Sequence, residues 1–171
     1  MKHPGDITFD IVNKYVDDVV VVSEDDIAMA ILTLMERQKL IAEGVGAVAV
    51  AAVLSDKLPV DNKNVVCIVS GGNIDVNILS RVLTRGLVAS GRKCNLQIAL
   101  EDKPGQLEKV SNIVSKCGGN IINVRYERSD INMPISSCYL TLGLETKNFL
   151  HIEEIKKYMI KEGIKIVNNV W

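Results

Sequence analysis

The chain has 171 residues, 47% of them apolar and 24% charged, with a formal net charge of -1. That length holds one domain or two small ones with the composition of a globular protein. The near-zero charge argues against a nucleic-acid partner bound by phosphate neutralisation. No apolar run reaches membrane-spanning length, and the N-terminus has no signal-peptide core, so no membrane association is expected. Aromatic residues make up only 4%, which leaves an aliphatic core. Cys67, Cys94, Cys117 and Cys138 are widely spaced and form no C-x-x-C pair. Neither a zinc site nor a disulfide framework is expected, and a reducing cytoplasm is the default location. Cys67, Cys117 and Cys138 read as small core residues. His3 and His151 have no His or Cys at ligand spacing, so both read as surface residues and no metal site is expected.

In chain order, Thr8 to Tyr15 predicts a short helix. Val19 to Val22 is a run of four valines that suits a strand buried on both faces. Ser23 followed by Glu24, Asp25 and Asp26 is a helix start. Ile27, Ala30, Ile31, Leu34 and Met35 then recur at helical spacing. Glu43-Gly44-Val45-Gly46-Ala47 leads into a small-residue helix over Val48 to Ser55, whose alanines admit close backbone approach. Asn64 to Val69 reads as a second buried strand. Ser70-Gly71-Gly72-Asn73 is a turn, and Ile74 to Ser90 is a helix with Ile78, Leu79, Val82 and Leu83 on one face. This half is an α/β pattern with two strands, fewer than an open parallel sheet needs, and reads as a piece of something larger. The turn at Ser70 follows a strand and opens a helix; it is either an ordinary connection or a ligand-binding loop.

Residues 1–92 hold nine basic and twelve acidic residues, against eleven and nine in 93–171, and Ser90-Gly91-Arg92-Lys93 is the candidate boundary. Leu96, Ile98 and Leu100 alternate with polar or small neighbours as in a half-buried strand. In Asp102-Lys103-Pro104-Gly105-Gln106-Leu107, Pro104 fits a first helical turn and Asp102 its cap. Leu107, Val110, Ile113, Val114 and Cys117 continue at helical spacing to Gly118-Gly119. That turn is either a plain strand-to-helix connection or a cradle for an anion or carboxylate. Asn120 to Arg128 is a strand with Ile122, Val124 and Tyr126 on one face. Ser129 to Ile135 is a polar turn, and Ser137 to Glu145 is a strand. Asn148 caps a helix that aligns Ile152, Ile155 and Met159 and ends at Gly163. Ile164 to Val170 is the last strand. The order βαββαβ is the split-βαβ, ferredoxin-like sandwich, an antiparallel sheet with both helices on one face. Its other face needs cover, so self-association is expected.

Lys2-His3-Pro4-Gly5-Asp6, Tyr15-Val16-Asp17-Asp18, Glu43 to Ala47 and Val69 to Asp75 together resemble the C-terminal part of pyridoxal-phosphate threonine ammonia-lyases (threonine dehydratases). Residues 93–171 resemble the ACT regulatory domain of the medium-length form, with Asp102 to Leu107 as its loop and Gly118 to Ile121 as its helix-to-strand turn. The resemblance implies a fragment of a fold-type II catalytic domain over 1–92, followed by an α+β ACT domain over 93–171. It makes Ser70 the hydroxyl that bonds the cofactor's pyridine nitrogen, which favours elimination over transamination. Gly71, Gly72, Glu43 and Gly44 become cofactor-pocket residues. The family's Schiff-base lysine motif and glycine-rich phosphate loop are absent and are expected to lie on chain preceding Met1. The chain by itself is therefore expected to hold no catalytic residue, to bind no pyridoxal phosphate covalently and to lack lyase activity.

For the second half the resemblance implies amino-acid sensing at the interface of a homodimer or higher homo-oligomer, with isoleucine or valine as effector, in the setting of isoleucine biosynthesis. The loop Leu100 to Leu107 of one subunit would face Asn120 to Arg125 of its twin. Asp102 would take the amine, the N–H groups near Gly105, Gln106 and Leu107 the carboxylate, and Asn120 or Asn123, beside Ile121, would orient the ligand. A non-enzymatic amino-acid-binding regulatory protein, or a serine dehydratase or racemase parent, are the alternatives.

Overall fold

The computed structural model describes residues 5–128 and 134–169. They form two compact units, the first ending at Ile74 and the second starting at Asp75.

In the first unit, helix α1 (Asp6–Tyr15) buries none of its side chains. Helix α2 (Glu24–Thr33) starts where its sequence says it must. The Ser23 hydroxyl accepts from the Asp26 N–H at 3.1 Å, and the Asp26 carboxylate accepts from the Ser23 N–H at 2.8 Å. These bonds satisfy two end donors reciprocally and hold the Asp26 carboxyl below its usual range, the Ser23 N–H being the main cause. A π turn over Leu34–Gln38 ends α2 at Lys39, whose φ is 59°. A 3-10 turn over Val45–Ala47 enters helix α3 (Val48–Leu54), which packs against α2. The buried side chains are small, Ala28, Ala30, Ala42, Ala47, Ala51 and Ala52, with Ile31, Leu32 and Leu34 the bulky members.

The strands expected at Val19 to Val22 and Asn64 to Val69 do not form; no residue of either run is in a strand. A strand exists only through a ladder partner, and among the described residues neither run has one. Val21 is 83% exposed and Val66 90%, while Val20, Val22 and Cys67 are half-buried.

In the second unit, helix α4 (Val76–Ala89) is capped by Asp75, whose carboxylate accepts from the N–H groups of Asn77 and Ile78. There follow strand β1 (Lys93–Glu101), helix α5 (Gln106–Lys116), strands β2 (Asn120–Glu127) and β3 (Ser137–Glu145), helix α6 (Phe149–Lys161) and strand β4 (Lys165–Asn169). The sheet is antiparallel in the order β2-β3-β1-β4. Cys94, Leu96, Ile98 and Leu100 of β1 and Cys138, Leu140, Leu142 and Leu144 of β3 form one core with Val110, Ile113 and Val114 of α5 and Ile152, Ile155 and Met159 of α6, so both helices cover the same face. Burial pushes the Cys94 thiol up to about 11. The expected helix-ending glycines do their work: past α5, the Gly118 N–H donates to Ser115 and the Gly119 N–H to Val114, a Schellman closure, with Gly118 at φ 80°.

Several expectations are corrected here. The opposite sheet face is mostly polar, carrying Asn123, Gly143 and Asn95 in one row, Arg125, Thr141 and Gln97 in the next, and Glu127, Tyr139 and Ala99 beyond them. A bulge between Ile121 and Asn123 changes the phase of β2. Ile121 packs against the core and Ile122 is half out in solvent. His151 is buried at 5% exposure, not a surface residue. Its Nδ1 accepts from the Lys147 N–H at 3.1 Å and its Nε2 lies 2.8 Å from the Cys117 carbonyl oxygen, joining the start of α6 to the end of α5. The division into compact units falls at Ile74, one helix before the boundary expected at residue 92, and groups α4 with the second unit. The turn placed over Ser129 to Ile135 falls mostly outside the described residues, as do His3 and Val170.

Candidate functional site

Two groups of residues form the candidate sites. In the first unit, Glu43 and the Ser70 turn are far apart in sequence and meet in space. The Glu43 N–H donates to the Gly71 carbonyl at 3.2 Å. Gly71 has φ 77°, and a Cβ there would overlap the Glu43 carboxylate, coming within 2.8 Å of its Cδ. Gly46 sits behind the same turn; a Cβ on it would run into the Ser70 carbonyl oxygen and lie 2.8 Å from that of Gly71. At Gly72 the nearest atom would be the Ile41 carbonyl oxygen at 3.0 Å. Two backbone segments, 41–46 and 70–72, are thus pressed together, which only small residues allow. Gly44, expected in this wall, faces ordinary space, with Ile27 at 3.9 Å. Gly46 is the glycine that the packing requires; the alternation of Gly44, Val45 and Gly46 is the sequence signal for it. Ser70, Gly71 and Gly72 are exposed. A serine hydroxyl and a backbone edge on a glycine platform fit one wall of a pyridoxal phosphate site.

In the second unit, the loop after β1 borders a depression of about 550 Å³. Asp102, Gly105, Gln106 and Leu107 line it together with Tyr126 and Arg128 from the end of β2 and Cys138 of β3. Asp102 does not cap α5. The N-cap is Gly105, φ 88°, which offers no side chain to the helix, and Pro104 precedes the helix instead of opening it. The Asp102 carboxylate is used elsewhere, 3.0 Å from the Arg128 guanidinium, and its N–H donates to the Ser136 carbonyl. The Arg128 guanidinium also lies 5.6 Å from the centre of the Tyr126 ring, within cation–π range. Lys103 pairs with Glu101 and holds that carboxyl below its usual range. Burial raises the Cys138 thiol, with Asp102 a further cause.

The remaining expected residues lie elsewhere. Leu100 is buried in the core at 7% exposure. Asn120 pairs across the ladder with Glu145 and donates to its carboxylate at 2.8 Å, while Asn123 sits opposite Gly143. Those positions stand level with Lys93 and Asn95 of β1, at the far end from Glu101. Six to eight residues at roughly 3.3 Å each put about 20–25 Å between them and the Asp102 loop. Arg128 and Tyr126 were not anticipated as neighbours of that loop, because the sheet order that brings them there is not written in either segment.

Among the described residues there is no group of metal-binding side chains, and no helix long and apolar enough to cross a membrane. The described cysteines are all free thiols.

Comparison with known proteins gives the following. Residues 1–71 match the family of pyridoxal-phosphate dependent enzymes. The chain is 46% identical to an L-threonine ammonia-lyase of Thermotoga maritima over 97% of its own length and 41% of the relative's. It is 41% identical to an L-threonine ammonia-lyase of Geobacter sulfurreducens over 93% of its length and 40% of the relative's. It is 45% identical to the catabolic L-threonine dehydratase of Escherichia coli K12 over 48% of its length and 26% of the relative's. The chain thus spans about two fifths of the first two relatives.

Proposed function

We propose, from the kinship of this chain with L-threonine ammonia-lyases along nearly its whole length, that it is the C-terminal portion of such an enzyme, which converts L-threonine to 2-oxobutanoate and ammonia. Residues 1–92 are the tail of the catalytic domain, and residues 93–171 are a ferredoxin-like ACT domain that senses a small amino acid, in the cytoplasm and in the service of isoleucine biosynthesis. The observation that carries the catalytic half of the reading is the contact of the Glu43 N–H with the Gly71 carbonyl behind Ser70. It assembles two distant motifs into one wall.

When bound, pyridoxal phosphate supplies the electron sink that makes loss of the substrate's α-proton feasible. This chain's part is to hold the ring. The Ser70 hydroxyl would bond the pyridine nitrogen without fixing a positive charge there, and Gly71 and Gly72 would let the backbone approach the cofactor. With no Schiff-base lysine motif and no phosphate loop in this sequence, no pyridoxal phosphate is expected to stay bound to this chain, and no lyase activity is expected of it. Mixed with pyridoxal phosphate and desalted, the purified chain should keep no visible absorbance.

The regulatory half rests on the division of the effector residues. The Asp102 loop and the Asn120–Asn123 segment lie at opposite ends of one sheet, so a single chain cannot close both around one small ligand. A two-fold related copy, laid along the exposed edge of β2, brings the loop of one subunit to Asn120 and Asn123 of the other. Val124 and Tyr126 on that strand are half exposed and give the contact apolar area. Calorimetry of the full chain with each of the twenty amino acids, beside sedimentation, tests this. Saturable heat from isoleucine or valine with a dimer is expected; heat from none of them overturns the sensing role.

A further inference from the structure

The depression beside the β1–α5 loop already contains a positive charge where an amino-acid ligand would put its own. Arg128 reaches Asp102 at 3.0 Å, and both line the depression. The Tyr126 ring, also in the lining, lies under the guanidinium and favours this placement over the many a free arginine samples. Asp102 is the carboxylate that the effector reading assigns to the ligand's ammonium, and this inference rests on that reading. The geometry points to Arg128 as an internal stand-in for the ligand: it occupies the ammonium subsite at Asp102 in the free protein and is displaced when an α-amino acid enters.

The exchange is chemically balanced. One cation–carboxylate pair breaks, another forms, and no proton moves. It is also easy. The Arg128 side chain is 64% exposed and that of Asp102 34%, and ion pairs so open to water hold weakly. Arg128 therefore imposes a small, fixed penalty on every ligand that needs Asp102. It also favours ligands whose ammonium stands free, since a neutral amide brings no charge to replace that of the guanidinium beside the carboxylate. The arrangement keeps Asp102 paired when no effector is present.

The test is calorimetric titration of the full chain with L-isoleucine and L-valine, in the wild type, Arg128→Gln and Arg128→Lys. Removing the internal cation should tighten binding by about two- to fivefold, the range that exposed pairs allow, with the lysine variant between the two. A second readout is the Arg128 side-chain Nε–H resonance. On saturation of the wild type it should move to the position it holds in ligand-free Asp102→Asn protein, a shift that a merely structural arginine would not make. Binding by Arg128→Gln alone, with a silent wild type, would support the stand-in strongly. Unchanged or weaker binding in Arg128→Gln would overturn the inference while leaving the effector reading intact. Silence from all three proteins would overturn both.

Discussion

The two units use apolar residues in opposite ways. In the second, strand and helix side chains of Leu, Ile, Val and Met interlock; Leu96, Ile98, Leu140, Leu142, Leu144, Ile155 and Met159 are all completely shielded. In the first, Ile31 is the only large side chain so completely shielded among the described residues, and the rest of the buried set is mostly alanine. Its valine-rich runs lie largely open. A residue's apolar character does not bury it. Burial needs a partner surface: helices α5 and α6 supply it to the core face of β1 and β3, while the described residues cover Val19–Val22 and Asn64–Val69 only in part.

The largest effect that sharpens this contrast is in the second unit. Leu142→Ala should cost about 2–5 kcal/mol, since the core around it is filled, whereas Val66→Ala should stay within about 0.5 kcal/mol. Thermal melts of the two variants check this, and similar losses from both would abolish the distinction. Next comes the glycine platform of the first unit. Gly46→Ala puts a methyl group where the Ser70 carbonyl stands and should cost about 1–3 kcal/mol. Hydrogen exchange should show lost protection at the Glu43 amide; wild-type protection there would mean that the two segments are not pressed together.

The smallest effect concerns the α2 cap. The folded Asp26 carboxyl is held below its ordinary value, so its contribution is complete above that ordinary value, near pH 4, and fades as the pH falls through the lowered one. The Ser23 amide should lose protection over that acid range in the wild type and show no such step in Asp26→Asn.

What could be read from the sequence follows the reach of the interactions. The helix signals at Ser23, Asn148, Gly118 and Gly163 are legible because they act within a turn of themselves, whereas Asp102 is drawn to Arg128 and caps no helix. The βαββαβ order was legible because its periodicities are clean. His151 was misplaced because its partners, Lys147 and the Cys117 carbonyl, say nothing in sequence about ring burial. The β2 bulge was invisible because a one-residue slip leaves the apolar pattern Ile121, Ile122, Val124 readable in two phases. In the candidate sites, Ser70, Gly71 and the Asp102 loop are marked by local motifs, while Gly46 and Arg128 owe their places to segments that approach from far along the chain.

The junction between α4 and β1 decides where this polypeptide can be divided. The Thr146 N–H donates to the Arg92 carbonyl at 2.9 Å and its hydroxyl to the Gly91 carbonyl at 2.6 Å. Gly91 itself is wedged so close to Phe149 that a Cβ would come within 2.5 Å of that residue's nitrogen. A recombinant piece beginning at Lys93 would discard both acceptors of Thr146 and unplug the entrance to α6. One beginning before Asp75 keeps the splice whole, so an excised second unit should start there.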